Sequence, residues 1–326
     1  MPYSKKIVSR ARQILESRKA DRESEYRDHL HTAYQQVPRL RQIDMQLRSS
    51  MAVAAQTVFS QGTDAAAVME QVKKENLALQ QERQALIQEH FLPGFLDDSP
   101  VCGHCGGTGY VGAAMCRCLE QLCRQEQRKE LDRLTQGNDR FEDFRLDYYS
   151  DRTDAKIGVS PRAIMERNLK YCRQYAESFP EAGNLLFVGS TGLGKTFLSA
   201  CIANAVVDKG VSIVYESAPQ LFAKLEKNRF NPDEESREAV AEMESCQLLI
   251  LDDLGTEMPG NFVTAALYSL LNDRLLANKA MIISTNLNID EIARRYSPQI
   301  ASRLQGSFRQ MPFVGQDIRV LKNKGI

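Results

Sequence analysis

One octapeptide decides most of what this chain can fold into. Gly189-Ser190-Thr191-Gly192-Leu193-Gly194-Lys195-Thr196 follows the apolar run Asn184-Leu185-Leu186-Phe187-Val188 and precedes the apolar stretch Phe197–Val207. It fits G-x-x-x-x-G-K-[ST] in full. The glycines let the backbone curl so that successive N–H groups face a phosphate, and the positive end of the following helix adds to that attraction. In this chemistry Lys195 reaches the β- and γ-phosphates of ATP, and the Thr196 hydroxyl binds Mg2+. The loop works only where a strand enters it and a helix leaves it, so the C-terminal half is expected to be α/β.

The rest of that half agrees. From Pro161 onward, helical stretches alternate with short apolar runs at Leu185–Val188, Ser212–Tyr215, Leu248–Leu251 and Met281–Ser284. Most of these are nearly all apolar, as strands covered on both faces of a parallel sheet are. The run Gln247-Leu248-Leu249-Ile250-Leu251-Asp252-Asp253 ends in paired carboxylates. Asp252 suits a water-mediated Mg2+ contact, and Asp253 suits a general base that polarises the attacking water; an acidic turn after a strand is the plain alternative. Ala280-Met281-Ile282-Ile283-Ser284-Thr285-Asn286 ends at the sheet edge where such folds hold ligands. Asn286 there either orients the lytic water or simply forms the turn.

The first 97 residues carry almost no glycine and many helix formers, with Pro2, Pro38 and Pro93 as breakers. The best helix runs from Asp64, a candidate cap, to His90, with Val72, Leu79 and Leu86 repeating every seven residues. Asn76 and Arg83 interrupt the seam, so a helical hairpin or bundle that docks on a partner is expected rather than a long coiled coil.

Beyond Asp97-Asp98-Ser99-Pro100 come Cys102-Gly103-His104-Cys105 and Cys116-Arg117-Cys118. Gly106, Gly107, Gly109 and Gly112 permit the return between them. Four thiolates from Cys102, Cys105, Cys116 and Cys118 match tetrahedral, structural Zn2+. Cys-x-Cys is a tight second pair, so His104 or Cys123 could replace one ligand, and an iron–sulfur cluster is the other option. Cys172, Cys201 and Cys246 fall in apolar segments and are expected in the core.

Charge is balanced, with 42 basic and 42 acidic residues, which argues against a nucleic-acid coat protein. The segment from Lys279 onward is locally basic and is a candidate for touching phosphates, or else a solvated face. No apolar run approaches the roughly 18–20 residues of a membrane span, and the start does not read as a signal peptide. A cytoplasmic chain with no membrane partner is expected.

Taken in order, these motifs resemble the AAA+ superfamily, and within it the DnaC/DnaI/IstB group of helicase loaders and transposition helpers. The resemblance rests on Asn184–Thr196 (Walker A), Leu248–Gly255 (Walker B), Ser284-Thr285-Asn286 (sensor 1), Ile300-Ala301-Ser302-Arg303-Leu304, Gly315-Gln316-Asp317-Ile318-Arg319 and the lead-in Phe144-Arg145-Leu146-Asp147-Tyr148-Tyr149. It covers roughly Phe141 to the end. It implies that Arg303 is an arginine finger completing a neighbour's site in a ring or spiral, and that Arg319 lies near a sensor 2-like contact. The helical lid is expected to be minimal or absent. Asp253 stands where AAA+ proteins at large carry Glu.

The layout is closest to DnaI-type loaders, which combine a helical N-terminus, a zinc module and an AAA+ core. It divides into a helical partner-binding region (1–97), the cysteine module (98–125), a linker and lead-in (126–160) and the ATPase core (161–326). The expected function is ATP-dependent loading of a hexameric replicative helicase, with single-stranded DNA met by the basic tail and by the helix after Tyr215, where Phe222, Lys224 and Lys227 are the candidate contacts; amphipathic packing is the alternative for these three and the favoured reading for Phe222. The alternative is an IstB-like transposition helper acting on duplex DNA.

Overall fold

The computed structural model describes residues 3–61, 65–134, 139–155 and 158–323. Asp64, the expected helix cap, lies outside the described residues. Two compact units emerge: Arg12–Cys118, and Met1–Ala11 together with Leu119–Ile326.

The helical part comprises α1 (Lys5–Gln36), α2 (Pro38–Gln61) and α3 (Ala65–His90). Pro38 opens α2, where its missing N–H costs nothing. Ala33, Val37 and Leu40 form a small core with Tyr34, Leu86, Ile87, Phe91 and Phe95. The polar seam positions of α3 find their partners on α2. Asn76 Nδ2 donates to Ser50 Oγ (3.0 Å), and Arg83 Nε donates to Asp44 Oδ1 (2.8 Å). Arg39 on α2 makes a two-pronged bond to Glu82 at 2.7 and 2.9 Å. The interruptions of the heptad are thus the contacts of an antiparallel-type hairpin. A two-residue ladder, β1 (Tyr110–Val111) with β2 (Ala114–Met115), then returns the chain between the cysteine pairs, and α4 (Arg117–Leu134) follows.

The larger unit continues through single turns at Phe141–Asp143 and Leu146–Tyr148 into α5 (Pro161–Ser178). The αβ alternation is then β3 (Asn184–Val188), α6 (Lys195–Val207), β4 (Ile213–Ser217), α7 (Ala218–Phe230), α8 (Glu234–Ser245), β5 (Leu248–Leu254), α9 (Asn261–Leu276), β6 (Ala280–Thr285), α10 (Ile289–Arg295), α11 (Pro298–Ser307), β7 (Phe308–Pro312) and α12 (Ile318–Asn323). The strands form one sheet in the order β4-β5-β6-β3-β7, with every pairing parallel.

Both faces of that sheet are covered. Leu185, Phe187, Leu248, Ile250 and Ile282 point into a core shared with α5 and α6. Their sequence neighbours Leu186, Leu249, Leu251, Met281 and Ile283 point into a second core under α7, α9 and α11. Two buried faces explain the continuous apolar runs, since both alternating sets of side chains leave water. Each of the four expected strands is present; three are extended by a residue or more, and the run expected at Ser212–Tyr215 is shifted to Ile213–Ser217. Cys172, Cys201 and Cys246 are buried in these cores, and burial pushes the Cys172 and Cys201 thiols well up.

β7 was not foreseen. It is an edge strand whose Arg309 and Gln310 are exposed while Phe308 and Met311 are buried, so it shows no apolar run. Arg274 on α9 is only 1% exposed. Its guanidinium donates to the carbonyls of Met243 (2.6 Å), Cys246 (3.2 Å) and Ala280 (2.8 Å), tying the end of α8 to the start of β6.

Candidate nucleotide site and cysteine cluster

β3 delivers the chain into Gly189–Thr196, and α6 begins at Lys195 with Gly194 as its cap at φ +86°. Gly192 is likewise left-handed, at φ +74°. A different segment lies over each loop glycine. A Cβ on Gly189 would sit 2.3 Å from the Phe313 carbonyl oxygen, and one on Gly192 would overlap the Asp317 carboxylate. At Gly194 a Cβ would meet Tyr149 Oη at 3.0 Å and the Phe144 ring at 3.2 Å. Tyr149 Oη donates to the Leu193 carbonyl (2.9 Å), and the Ile318 amide donates to the Gly192 carbonyl (2.9 Å). The lead-in and the Gly315–Asp317 turn therefore hold the loop from outside.

Lys195 is 5% exposed, and its Nζ donates to the carbonyls of Gly189 and Ser190, each at 2.7 Å. Burial pulls the ammonium pKa down, Asp253 and Asp252 pull it back up, and Arg319 opposes them. Thr196 and Thr191 are exposed at the loop. A glycine-lined amide cradle, a buried lysine and oxygen donors at Thr196 and Asp252 make a donor set that fits Mg2+ with a polyphosphate.

Asp252 and Asp253 stand on a kink. The β5–β6 register shifts between Leu251 and Leu254, and Asp253 takes φ +55°. The shift lets two consecutive acids serve one edge instead of alternating between faces. Asp252 is 6% exposed; Asp253 is exposed. Burial and then the Asp252 charge push the Asp253 carboxyl above its usual range, while Lys195 and Arg319 hold it back.

Two residues not singled out as functional from sequence grip Asp252. The Ser284 hydroxyl donates to Asp252 Oδ1 and accepts the Asp253 N–H (2.9 Å). The Tyr215 hydroxyl lies 3.2 Å from Asp252 Oδ2 and 3.4 Å from the Thr196 carbonyl. Both come from strands flanking β5, so their partners are distant in sequence and no local pattern signals them.

Asn286 is exposed just past β6, its Oδ1 3.4 Å from where a Gly255 Cβ would sit. Arg319 is exposed, and its charge acts on Lys195 and Asp253, which places it on this site's side. Arg303 is held elsewhere: its guanidinium donates to Tyr268 Oη (2.8 Å) and Asn272 Oδ1 (3.0 Å) and lies 4.3 Å over the Tyr268 ring.

The α7 candidates for nucleic-acid contact are engaged otherwise, Phe222 by the packing that was its favoured reading. Phe222 is 4% exposed and packs in the second core. Lys224 is engaged by Glu216, and Lys227 pairs with Asp233 at 2.6 Å. Periodicity gave a helix but not which stripe faces the sheet. The exposed aromatic is Phe230, 69% exposed at the end of α7, with its ring 5.6 Å from that of Phe262.

In the cysteine module, the sulfurs of Cys102, Cys105, Cys116 and Cys118 all lie within 4.8 Å of one another. Cys102 and Cys116 are 3.9 Å apart, and Cys105 and Cys118 3.5 Å. A tetrahedral zinc–thiolate site with bonds of about 2.3 Å spaces its sulfurs roughly 3.8 Å apart; a disulfide needs about 2.05 Å. The donor set therefore fits a single tetrahedral ion. An iron–sulfur cluster interposes several irons and would spread the sulfurs wider. His104 and Cys123 lie outside the group, Cys123 being fully buried. The Cys105 thiol, which burial alone would raise, is held down to about 6 by the amides of Gly109 and Gly107 and the neighbouring thiols, while burial pushes Cys118 up.

The family model described as "IstB-like ATP binding protein" matches residues 119–301, more than half of the chain. The chain belongs to the IstB-like ATP binding protein family. Its α/β core carries a five-stranded parallel sheet, with the phosphate-type loop between β3 and α6. It is 20% identical to the replicative helicase loader DnaC of Escherichia coli K12 over 138 residues, 42% of this chain and 56% of that protein. It is 26% identical to the replicative helicase loader DnaI of Bacillus subtilis over 136 residues, 41% of this chain and 43% of that protein. An insertion-sequence ATP-binding protein of Sinorhizobium fredii is 31% identical over 102 residues, 31% of this chain and 34% of that protein. The chain thus spans about half the length of the relatives it matches, or less. Among the described residues no helix is long and apolar enough to cross a membrane.

Proposed function

We propose that this IstB-like protein is an ATP-dependent loader of a hexameric replicative helicase, of the DnaI type. The observation that carries the loader reading is the four-cysteine group ahead of the ATPase core, following a helical hairpin. That combination resembles DnaI-type loaders and is not typical of IstB transposition helpers. Residues 1–97 and 98–125 form the helicase grip, 126–160 the lead-in and 161–326 the motor. Zn2+ at Cys102, Cys105, Cys116 and Cys118 holds the grip in shape.

Bound Mg-ATP supplies the scissile phosphoanhydride. The amides of Gly189–Thr196 and the Lys195 ammonium bind the phosphates, and Thr196 and Asp252 present oxygens to Mg2+. Asp253 takes the proton of the attacking water, and Asn286 orients that water. Arg303 leaves Tyr268 and Asn272 to reach a neighbouring subunit's site in a ring or spiral, and Arg319 steadies the phosphates in its own.

Single-stranded DNA is held by stacking on Phe230, with phosphates met by Arg229 and the basic segment after Lys279. Base–aromatic stacking is worth about 1–3 kcal/mol per base. Phe230→Ala should therefore weaken binding of a fluorescent oligothymidine about fivefold or more in anisotropy titrations. An unchanged Kd would remove Phe230 from the interface.

The full-length protein with ATP should co-elute with a replicative helicase on size exclusion and be released after turnover. A protein that ignores every replicative helicase offered would end the loader reading. The similarity to an insertion-sequence ATP-binding protein favours a second reading. A transposition helper would instead form ATP-dependent filaments on duplex DNA, visible by electron microscopy.

A further inference from the structure

The two strands flanking the acidic strand each supply one hydroxyl to Asp252, and together these occupy both of its carboxylate oxygens. On one side, Ser284 of β6 donates to Oδ1 and at the same time accepts the Asp253 N–H at 2.9 Å. On the other, Tyr215 of β4 lies 3.2 Å from Oδ2 and 3.4 Å from the Thr196 carbonyl. Ser284 is fully buried and Tyr215 is 6% exposed, so neither hydroxyl has water as a ready substitute.

The arrangement does more than neutralise a buried acid. A carboxylate on a strand end can rotate about its last torsion, which is broad and nearly two-fold. Bonds on both oxygens leave one orientation. The Ser284 bond to the Asp253 amide adds a second constraint, because Asp253 sits in the left-handed region at φ +55°, where a non-glycine residue persists only if its surroundings hold it. One hydroxyl therefore fixes the kink that presents Asp253 and the rotamer that presents Asp252. Tyr215 ties the same carboxylate to the first turn of α6, whose Thr196 is the other Mg2+ donor.

We propose that Ser284 and Tyr215 are positioning residues for Mg-ATP: they set Asp252 and Thr196 in register, and Ser284 also sets Asp253. The proposal rests on the nucleotide reading of the site. It makes Ser284 the link by which β6, the strand leading to Asn286, holds the two acids, so that strand and acids move together.

The test uses full-length Ser284→Ala and Tyr215→Phe, each of which deletes one hydroxyl and little else, with Ser284→Thr as the conservative rescue. Mn2+ is titrated by electron paramagnetic resonance in the presence of a non-hydrolysable ATP analogue; analogue binding without metal and ATP turnover are measured in parallel. Residues that orient a metal ligand are typically worth 10–100-fold in metal affinity or activity. Ser284→Ala and Tyr215→Phe should each weaken Mn2+ by about tenfold or more, with metal-free analogue binding within about twofold of wild type. Ser284→Thr should recover most of the loss.

Wild-type metal affinity in both hydroxyl-deleted variants overturns the proposal, while Asp252→Ala losing metal in the same assay keeps the nucleotide reading. Loss of metal-free analogue binding in step with metal binding also overturns it, since that marks general damage to the site. If only Ser284→Ala fails to fold, Tyr215→Phe decides. A wild-type protein that binds neither analogue nor Mn2+ removes the nucleotide reading itself.

Discussion

Lys195→Ala should lower ATP turnover by roughly two to three orders of magnitude, the size of effect seen when one preorganised electrostatic contact to a transition state is removed. The reason lies in how the ammonium is held. It is 5% exposed and donates to the Gly189 and Ser190 carbonyls, so it sits in the mouth of the loop before any phosphate is considered. Burial works against its charge, and the Asp253 and Asp252 charges offset that cost. Folding gains little from such a group, so the melting temperature should move by only a few degrees. Phosphate release and binding of a fluorescent ATP analogue measure the two halves of the effect. Wild-type turnover by Lys195→Ala would show that this loop does not hold the triphosphate.

Metal removal should have the largest structural effect. Between Cys102 and Cys118 the ladder is two residues per strand, and Gly106, Gly107, Gly109 and Gly112 all carry positive φ, from +60° to +84°. Glycines in fixed conformations lose more backbone entropy than other residues, and Cys102, Cys105 and Cys118 are all partly exposed. Apolar burial is too small to offset that loss. Structural zinc supplies about 10–16 kcal/mol in comparable small modules near neutral pH. The purified protein should carry one zinc per chain. Stripping it with a strong chelator, or exchanging both Cys105 and Cys118 for serine, should abolish amide protection across 102–118 and open that loop to proteases. The core should still melt normally, and helicase co-elution should be lost. Full protection of the loop in metal-free protein would mean that the thiols pack without an ion.

The sequence was most legible where chemistry restricts residue type. Phosphate binding demands glycines, a lysine and a hydroxyl at fixed spacing, so Gly189–Thr196 could be read directly, and strands buried on both faces betray themselves as apolar runs. The Asn76 and Arg83 interruptions were legible too, as signs of a hairpin, although their partners Ser50 and Asp44 were not. What stayed hidden depends on which distant segments meet. Ser284 and Tyr215 reach Asp252 across neighbouring strands, and the exposed pair Arg309 and Gln310 of the edge strand β7 breaks any apolar run there. A helical period does not say which way α7 is turned; the core claims Phe222, as the packing alternative had it, and leaves Phe230 outside.

The packing over Gly189, Gly192 and Gly194 has a consequence for the order of assembly. Tyr149 lies before the core and Asp317 after its last strand, yet both close on the same loop. Bringing segments this far apart together costs loop-closure entropy that local contacts do not, and contacts of long sequence separation are slow to form. Strand β3 and helix α6 can exist before that happens, but the loop between them gains its outer walls only when the whole unit has closed. Nucleotide affinity is therefore a property of the finished fold and absent from partly folded chains. By mass action, ligand at a hundred times its Kd adds about 2.7 kcal/mol to the completed state alone, so Mg-ATP selects for molecules that have finished folding.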